Sequence, residues 1–187
     1  MSQNVYAHCP AYETPGFSVR LVQPEDAADL LICYADPRAR RFFNSDNCNY
    51  GFACDTLPQM RACIAQWLQE YQNGCFVRFS IISRESGRAA GTIEMFHKPE
   101  LDEGEHRYGI LRIDLAAEWE KREWLCELLA LSCREFFSAF GVTHILTKAI
   151  PEAKERVCAL KAAGFSPLKE RPVLSYGDYW IAGREKE

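Results

Sequence analysis

Residues 107–150 read RYGILRIDLAAEWEKREWLCELLALSCREFFSAFGVTHILTKAI, and this stretch decides the fold. Arg107 to Leu115 is a short apolar run of the kind that forms a buried strand. Leu125, Leu128, Leu129, Cys133, Phe136 and Phe140 then recur at helical spacing, and Gly141 stops the helix. Thr143 to Ile150 is a second strand. Strand 107–115, helix 119–140 and strand 143–150 predict a right-handed crossover with the two strands parallel. The turn between strand and helix is a natural anion site, because unpaired N–H groups and the helix dipole point outward there. Here the turn has no glycine and carries Glu118, Glu120 and Glu123.

Working outward, Phe17 to Val22 alternates as a strand. Pro24, Glu25 and Asp26 open a helix that the apolar set Ala28, Leu31 and Ile32 extends to about Ala35. Asp36-Pro37 breaks it, and a short basic helix follows over Arg38 to Phe43. Residues 44–55 are turn-formers without a period. Thr56-Leu57-Pro58-Gln59 is a capping box before a helix in which Met60, Cys63, Ile64, Trp67, Leu68 and Tyr71 recur at helical spacing and which ends at Gly74. Phe76–Ser83 and Ala89–His97 form a hairpin across residues 85–88. Pro151 opens a helix with Glu152 and Glu155 in its first turn and Val157, Leu160 and Ala163 inward. Two terminal strands, 168–173 and 176–183, close the chain, and Pro172 places the first at an edge. The fold class is therefore α+β, an α/β/α sandwich around one mixed, mostly antiparallel sheet of about seven strands with a parallel β-α-β crossover. Residues 1–16 are a lead-in and 17–187 a single domain.

Composition narrows the function. The net charge of −4 over 187 residues argues against non-specific nucleic-acid binding, which needs a basic face. There is no apolar run of bilayer length and no signal-peptide pattern, so the chain reads as cytoplasmic with no membrane partner. Nine cysteines without a CxxC pair, and histidines without zinc spacing, point to neither a disulfide framework nor a metal site. Cys33, Cys63, Cys126, Cys133 and Cys158 read as small apolar fillers in helices. Cys48 and Cys54 lie in a polar loop as surface cysteines, the more reactive of the set.

The order of elements, together with FSVRLVQPEDAADLLICYADPRARRFF (17–43) and ALKAAGF (159–165), resembles the GNAT superfamily of N-acetyltransferases over residues 17–182. Within it the opening resembles the ribosomal-protein-acetylating branch. The resemblance implies acetyl-CoA as co-substrate. It implies that backbone amides after the central strand hold the pyrophosphate, and that the pantetheine lies between the fourth and fifth strands of the family fold. Ile113, Leu115, Lys121, Arg122, Glu123, Trp124 and Leu125 are then the cofactor-binding positions. The family loop runs Gln/Arg-x-x-Gly-x-Gly/Ala. Here Glu120 takes the Gln/Arg place, Lys121 and Glu123 the glycine-type places, and Leu125 the small-residue place, so the loop is degenerate. Ala153 stands where the family's asparagine touches the cofactor, and Leu160 where many members carry a tyrosine acid.

The implied chemistry is acetyl transfer to a primary amine of a small molecule or a protein. It requires positioning, a base for the ammonium proton and a donor to the oxyanion. Glu94, in an apolar strand near the sheet centre, is the first choice of base; its alternative is exposure to solvent or pairing with an arginine. Asp114 is the second, with pairing to Arg112 or Lys148 as the alternative. Asp114 or Leu115 would supply the oxyanion N–H. His97 and His106 read as surface residues. Tyr108, Tyr176 and Tyr179 could supply the acid only if the fold brings them in. The first two helices and loop 44–55 form the expected acceptor side, where Arg38, Arg40 and Arg41 with Phe42 and Phe43 could hold an acidic or aromatic group; the alternative, which the pattern favours, is a basic amphipathic turn with Phe42 and Phe43 in the core. A catalytically degenerate protein that binds a ligand or partner on the same scaffold stands as the alternative, and the sheet edge leaves room for a homodimer.

Overall fold

The computed structural model describes residues 4–46, 54–169 and 176–184. Its centre is an eight-stranded sheet in the order β1-β2-β3-β4-β5-β6-β8-β7. The strands are β1 (Tyr12–Glu13), β2 (Phe17–Leu21), β3 (Val77–Ser83), β4 (Ala89–His97), β5 (Tyr108–Leu115), β6 (His144–Lys148), β7 (Ser166–Pro167) and β8 (Tyr179–Gly183). All neighbours are antiparallel except β5 and β6, the strands of the expected crossover. The strand beyond the seven expected is β1, which folds the lead-in back onto β2.

The helices are α1 (Ala27–Ala35), α2 (Pro37–Arg40), α3 (Leu57–Gln72), α4 (Arg122–Ala139) and α5 (Lys154–Ala162). Their ends follow local chemistry. Asp36 stops α1 in an extended conformation and caps α2 by accepting from the Arg38 amide at 2.8 Å, with Pro37 at the first helical position. At the start of α3, Thr56 and Gln59 satisfy each other's amides as a capping box. Three expectations shift. Turn and 3-10 residues fill 117–121, so the crossover helix begins later than Trp119. α5 begins after Pro151 and Glu152 have already turned, leaving only Glu155 of the two acids in its first turn. The first terminal strand is just Ser166–Pro167, and residues 170–175, including Pro172, lie outside the described residues.

Alternation along the central strands splits the sheet into two unlike faces. Phe79, Ile81, Ile93, Met95, Leu111, Ile113 and Leu115 pack with Leu125, Leu128, Leu129 and Phe136 of α4 and with Leu160 of α5. Burying each such side chain stabilises the fold by roughly 1.5–3 kcal/mol. On the opposite face lie Arg78, Ser80, Thr92, Glu94, Arg112 and Asp114, all buried. A second apolar cluster, built on Leu30, Tyr34, Met60, Ile64 and Trp67 of α1 and α3, covers that charged face. Among the described residues no helix is long and apolar enough to cross a membrane.

Candidate active site

The parallel ladder between β5 and β6 ends at Leu111 and Thr147, but β5 runs on to Leu115. The two strands therefore splay, and the far end of β5 has no strand on its β6 side. The Ala116 amide donates to the Ala90 carbonyl on β4. By alternation the even-numbered residues of β5 turn their backbone toward β4, and Ile113 and Leu115 turn theirs toward the gap. The side chains of Ile113, Leu115 and Leu125 are buried in the core, so only their backbone can face a ligand. Trp124 packs its ring 5.4 Å from Phe17 and from Trp119. Lys121, Arg122 and Glu123 form the mouth at the start of α4 and line an open cavity of about 500 Å³ with Cys126 and Glu155.

The first turn of α5 reaches into this mouth. The Arg122 amide, first of α4, donates to Glu155 Oε2 at 2.8 Å. Arg156 forms a bidentate pair with Glu120, both contacts at 2.7 Å, and its Nη1 donates to the Ile113 carbonyl at 2.8 Å. Arg156 and Glu120 are almost wholly buried, 5% and 6% exposed at their side chains. Burial disfavours the charged guanidinium, but the Glu120 carboxylate outweighs it and holds the Arg156 pKa above its ordinary value.

Both candidate bases sit on the charged face. Each oxygen of Glu94 accepts from a guanidinium, one from Arg78 and one from Arg112. Asp114 Oδ2 accepts from Tyr34 Oη at 2.8 Å and from Arg78 at 3.0 Å, rather than from Arg112 or Lys148. Its Oδ1 is buried without a hydrogen-bond partner among the described residues. Burial pushes the Asp114 carboxyl above the ordinary carboxylate value, against the pull of Arg78 and the Tyr34 hydroxyl. Tyr34 Oη also lies 2.8 Å from Thr92 Oγ1. The network continues outward, Arg112 donating to the Asp46 carbonyl and Lys148 to the Asp46 carboxylate. Sequence reasoning missed Tyr34 and Arg156. In α1 the sequence pattern singled out Ala28, Leu31 and Ile32, whereas the buried residues are Ala27, Leu30, Cys33 and Tyr34, with Ile32 exposed; Arg156 gave no signal beyond its place between buried helix positions.

The remaining candidates scatter. Arg38 pairs with Asp36, Arg40 with Asp55, Arg41 lies over Phe42, and Phe43 is buried against Tyr34. The acceptor-side loop from 47 to 53, with Cys48, falls outside the described residues. Cys54 is buried, not a surface cysteine, and a hydrogen bond from Cys63 lowers its thiol to about 7. Cys158 is exposed, not a core filler. His97 pairs with Asp102, and Tyr108 stacks on His144 with centroids 5.0 Å apart. Tyr179 accepts from the Asn44 amide at 3.1 Å. No group of three or more metal-ligating side chains gathers among the described residues.

The family model described as the acetyltransferase (GNAT) domain matches residues 17–166. The chain belongs to the GNAT acetyltransferase family. Among solved structures, this GNAT chain resembles the Mycobacterium smegmatis RimJ in complex with CoA-disulfide, at 17% identity and a TM-score of 0.71, over 93% of this chain and 86% of that one. It also resembles a GNAT-family acetyltransferase from Bacillus anthracis (12% identity, TM-score 0.69, 95% of this chain and 100% of that one). A third is the ribosomal-protein-S5-alanine acetyltransferase from Vibrio fischeri (16%, 0.67, 94% and 97%). No curated protein matches the sequence.

Acetyl-CoA, which the family implies, would need free backbone groups along the β5 edge and an open, electropositive start to α4. In the arrangement described, two of these backbone groups are already taken within the chain. The Ile113 carbonyl is taken by Arg156 and the Arg122 amide by Glu155, and Glu123 and Glu155 line the mouth beside Lys121 and Arg122. The groove beside β5 is thus partly filled from within.

Proposed function

We propose that this protein is an N-acetyltransferase that moves an acetyl group from acetyl-CoA to the primary amine of a small molecule or a protein. The observation that carries this reading is the splay after Leu111–Thr147, which turns the backbone of Ile113 and Leu115 toward a groove beside the start of α4. Of the two candidate bases we assign the proton to Asp114. Its Oδ1 is held by no hydrogen-bond partner among the described residues, and its raised pKa suits a base working nearer neutrality. Tyr34 and Arg78 hold Oδ2 and fix the carboxyl's orientation. Glu94, clamped between two guanidiniums, serves as the counter-charge that allows Arg78 to be buried. The ribosomal-protein-S5-alanine acetyltransferase among its structural neighbours favours a protein amine among the acceptors to try first.

Incubation with acetyl-CoA and a panel of peptide N-termini and small amines, read by mass spectrometry, tests this directly. Asp114→Asn is expected to keep its fold and lower kcat by about 100-fold or more with little change in KM. Undiminished turnover by this variant would remove Asp114 from the mechanism, and no acetylated amine from the unaltered protein would remove the enzyme reading. A second reading, a non-catalytic binding module on the GNAT scaffold, is favoured by one observation: the side chains of α5 already occupy the groove.

A further inference from the structure

Resting on the acetyltransferase reading above, we infer that the first turn of α5 is an internal plug of the cofactor groove: Glu155 and Arg156 stand in for the ligand, and acetyl-CoA enters when both let go. The chemistry of the two side chains matches the places they fill. Glu155 puts an anion on the first amide of α4, where a helix start receives phosphate oxygens. Arg156 puts an N–H donor on the Ile113 carbonyl, one of the outward groups of the unpaired edge of β5. A strand edge left without a partner would otherwise present that carbonyl bare.

The two residues are adjacent, so one movement releases both contacts. α5 enters through a turn in which Ala153 donates to the Ile150 carbonyl, and its N-terminal cap residue, Ala153, makes no side-chain cap. The contacts are unequal. Glu155 is exposed, so its bond to Arg122 exchanges readily with water. The Arg156–Glu120 pair is buried and bidentate, and it sets the strength of the closure. Glu120 occupies the place where the resemblance expects glutamine or arginine. The loop's departure from the family pattern and the buried arginine of α5 are thus two halves of one device. The net result is a groove whose open form is a minor population, and apparent affinity falls by the fraction that is open.

Calorimetric titration of the full chain with acetyl-CoA separates this device from a merely structural staple. Glu155→Ala removes an exposed carboxylate and leaves the fold intact. Glu120→Gln with Arg156→Gln removes the buried pair together, so that neither charge is stranded. Both variants are expected to bind acetyl-CoA more tightly than the unaltered protein, the double variant on the order of 10-fold. In the unaltered protein, hydrogen exchange at residues 153–157 is expected to rise on adding acetyl-CoA. Micromolar binding by the unaltered protein with no gain in either variant, and unchanged exchange at α5, would overturn the plug while leaving the acetyltransferase reading in place. Absence of binding by all three proteins at millimolar acetyl-CoA would overturn both.

Discussion

Asp26 and Asp114 show how differently one residue type behaves on the same face of a sheet. Burial alone would raise Asp26, but bonds from Arg20, Ser80 Oγ and the Gln23 amide outweigh it and lower the carboxyl below its ordinary 3.8. A lowered folded pKa adds stability above the unfolded value, and that stability is lost as pH falls through the folded one. The thermal midpoint of the unaltered protein is therefore expected to exceed that of Asp26→Asn above pH 3.8, with the gap closing in more acidic solution. A gap that stays constant to low pH would remove Asp26 from the acid response. Asp114 has the opposite sign: its raised pKa makes ionisation oppose folding, so its contribution is lost as pH rises. The side chains themselves are the same. Asp26 has full hydrogen-bond satisfaction, and Asp114 keeps one bare oxygen in a dry site. Sequence supplied both carboxylates and their strand or helix positions, yet it named Arg112 or Lys148 as the partner of Asp114, where the sheet delivers Arg78 and Tyr34. Cross-strand neighbours depend on register, which a single strand's pattern does not contain.

The elements held closely to their sequence signals where the signal was local. The capping box at Thr56, the Asp36-Pro37 break and the stop at Gly141, whose φ is +63°, each need only a few adjacent residues. Close approaches between elements were invisible. At Gly91 of β4 an added Cβ would meet the Asp114 carbonyl oxygen at 2.0 Å and the Leu115 Cα at 2.9 Å, both backbone atoms of β5. Gly91→Ala is expected to lower the stability of the fold by about 3 kcal/mol in urea denaturation, because the two strands would have to part. Gly109→Ala is the control. There the nearest atom is the flexible end of Met95, and the loss should be smaller. Equal losses at the two glycines would show that the β4–β5 contact is not the tight one. The same separation would move Asp114, so any activity of Gly91→Ala should fall further than its stability alone accounts for.

For the whole molecule, the two faces of the sheet divide the work. The α4–α5 side is an apolar core, and the α1–α3 side carries a buried charge network roofed by aromatic and aliphatic side chains. The central strands β3, β4 and β5 are paired on both edges over most of their length, whereas β1 and β7 are two-residue strands at the margins. Native-state hydrogen exchange is expected to be slowest in β3, β4 and the first half of β5, near the limit of global unfolding. It should be faster in α2 and at the far end of β5, where the ladder to β6 has ended. Uniform protection along β5 would mean that the splay is braced as firmly as the paired region, and the groove would then be a rigid feature.

What the sequence determined by itself was the order and kind of elements, the parallel crossover and a glycine-free strand–turn–helix at the end of β5. These follow from periodicity, caps and breakers, all of which are local. Only the tertiary structure decided which charges meet. It joined Glu120 to an arginine 36 residues away, set Glu155 on the start of α4, and buried Glu94 between two guanidiniums. The physical reason is that a charge is located by its partners, and those partners come from strands and helices brought together across the chain after the local structure is already set.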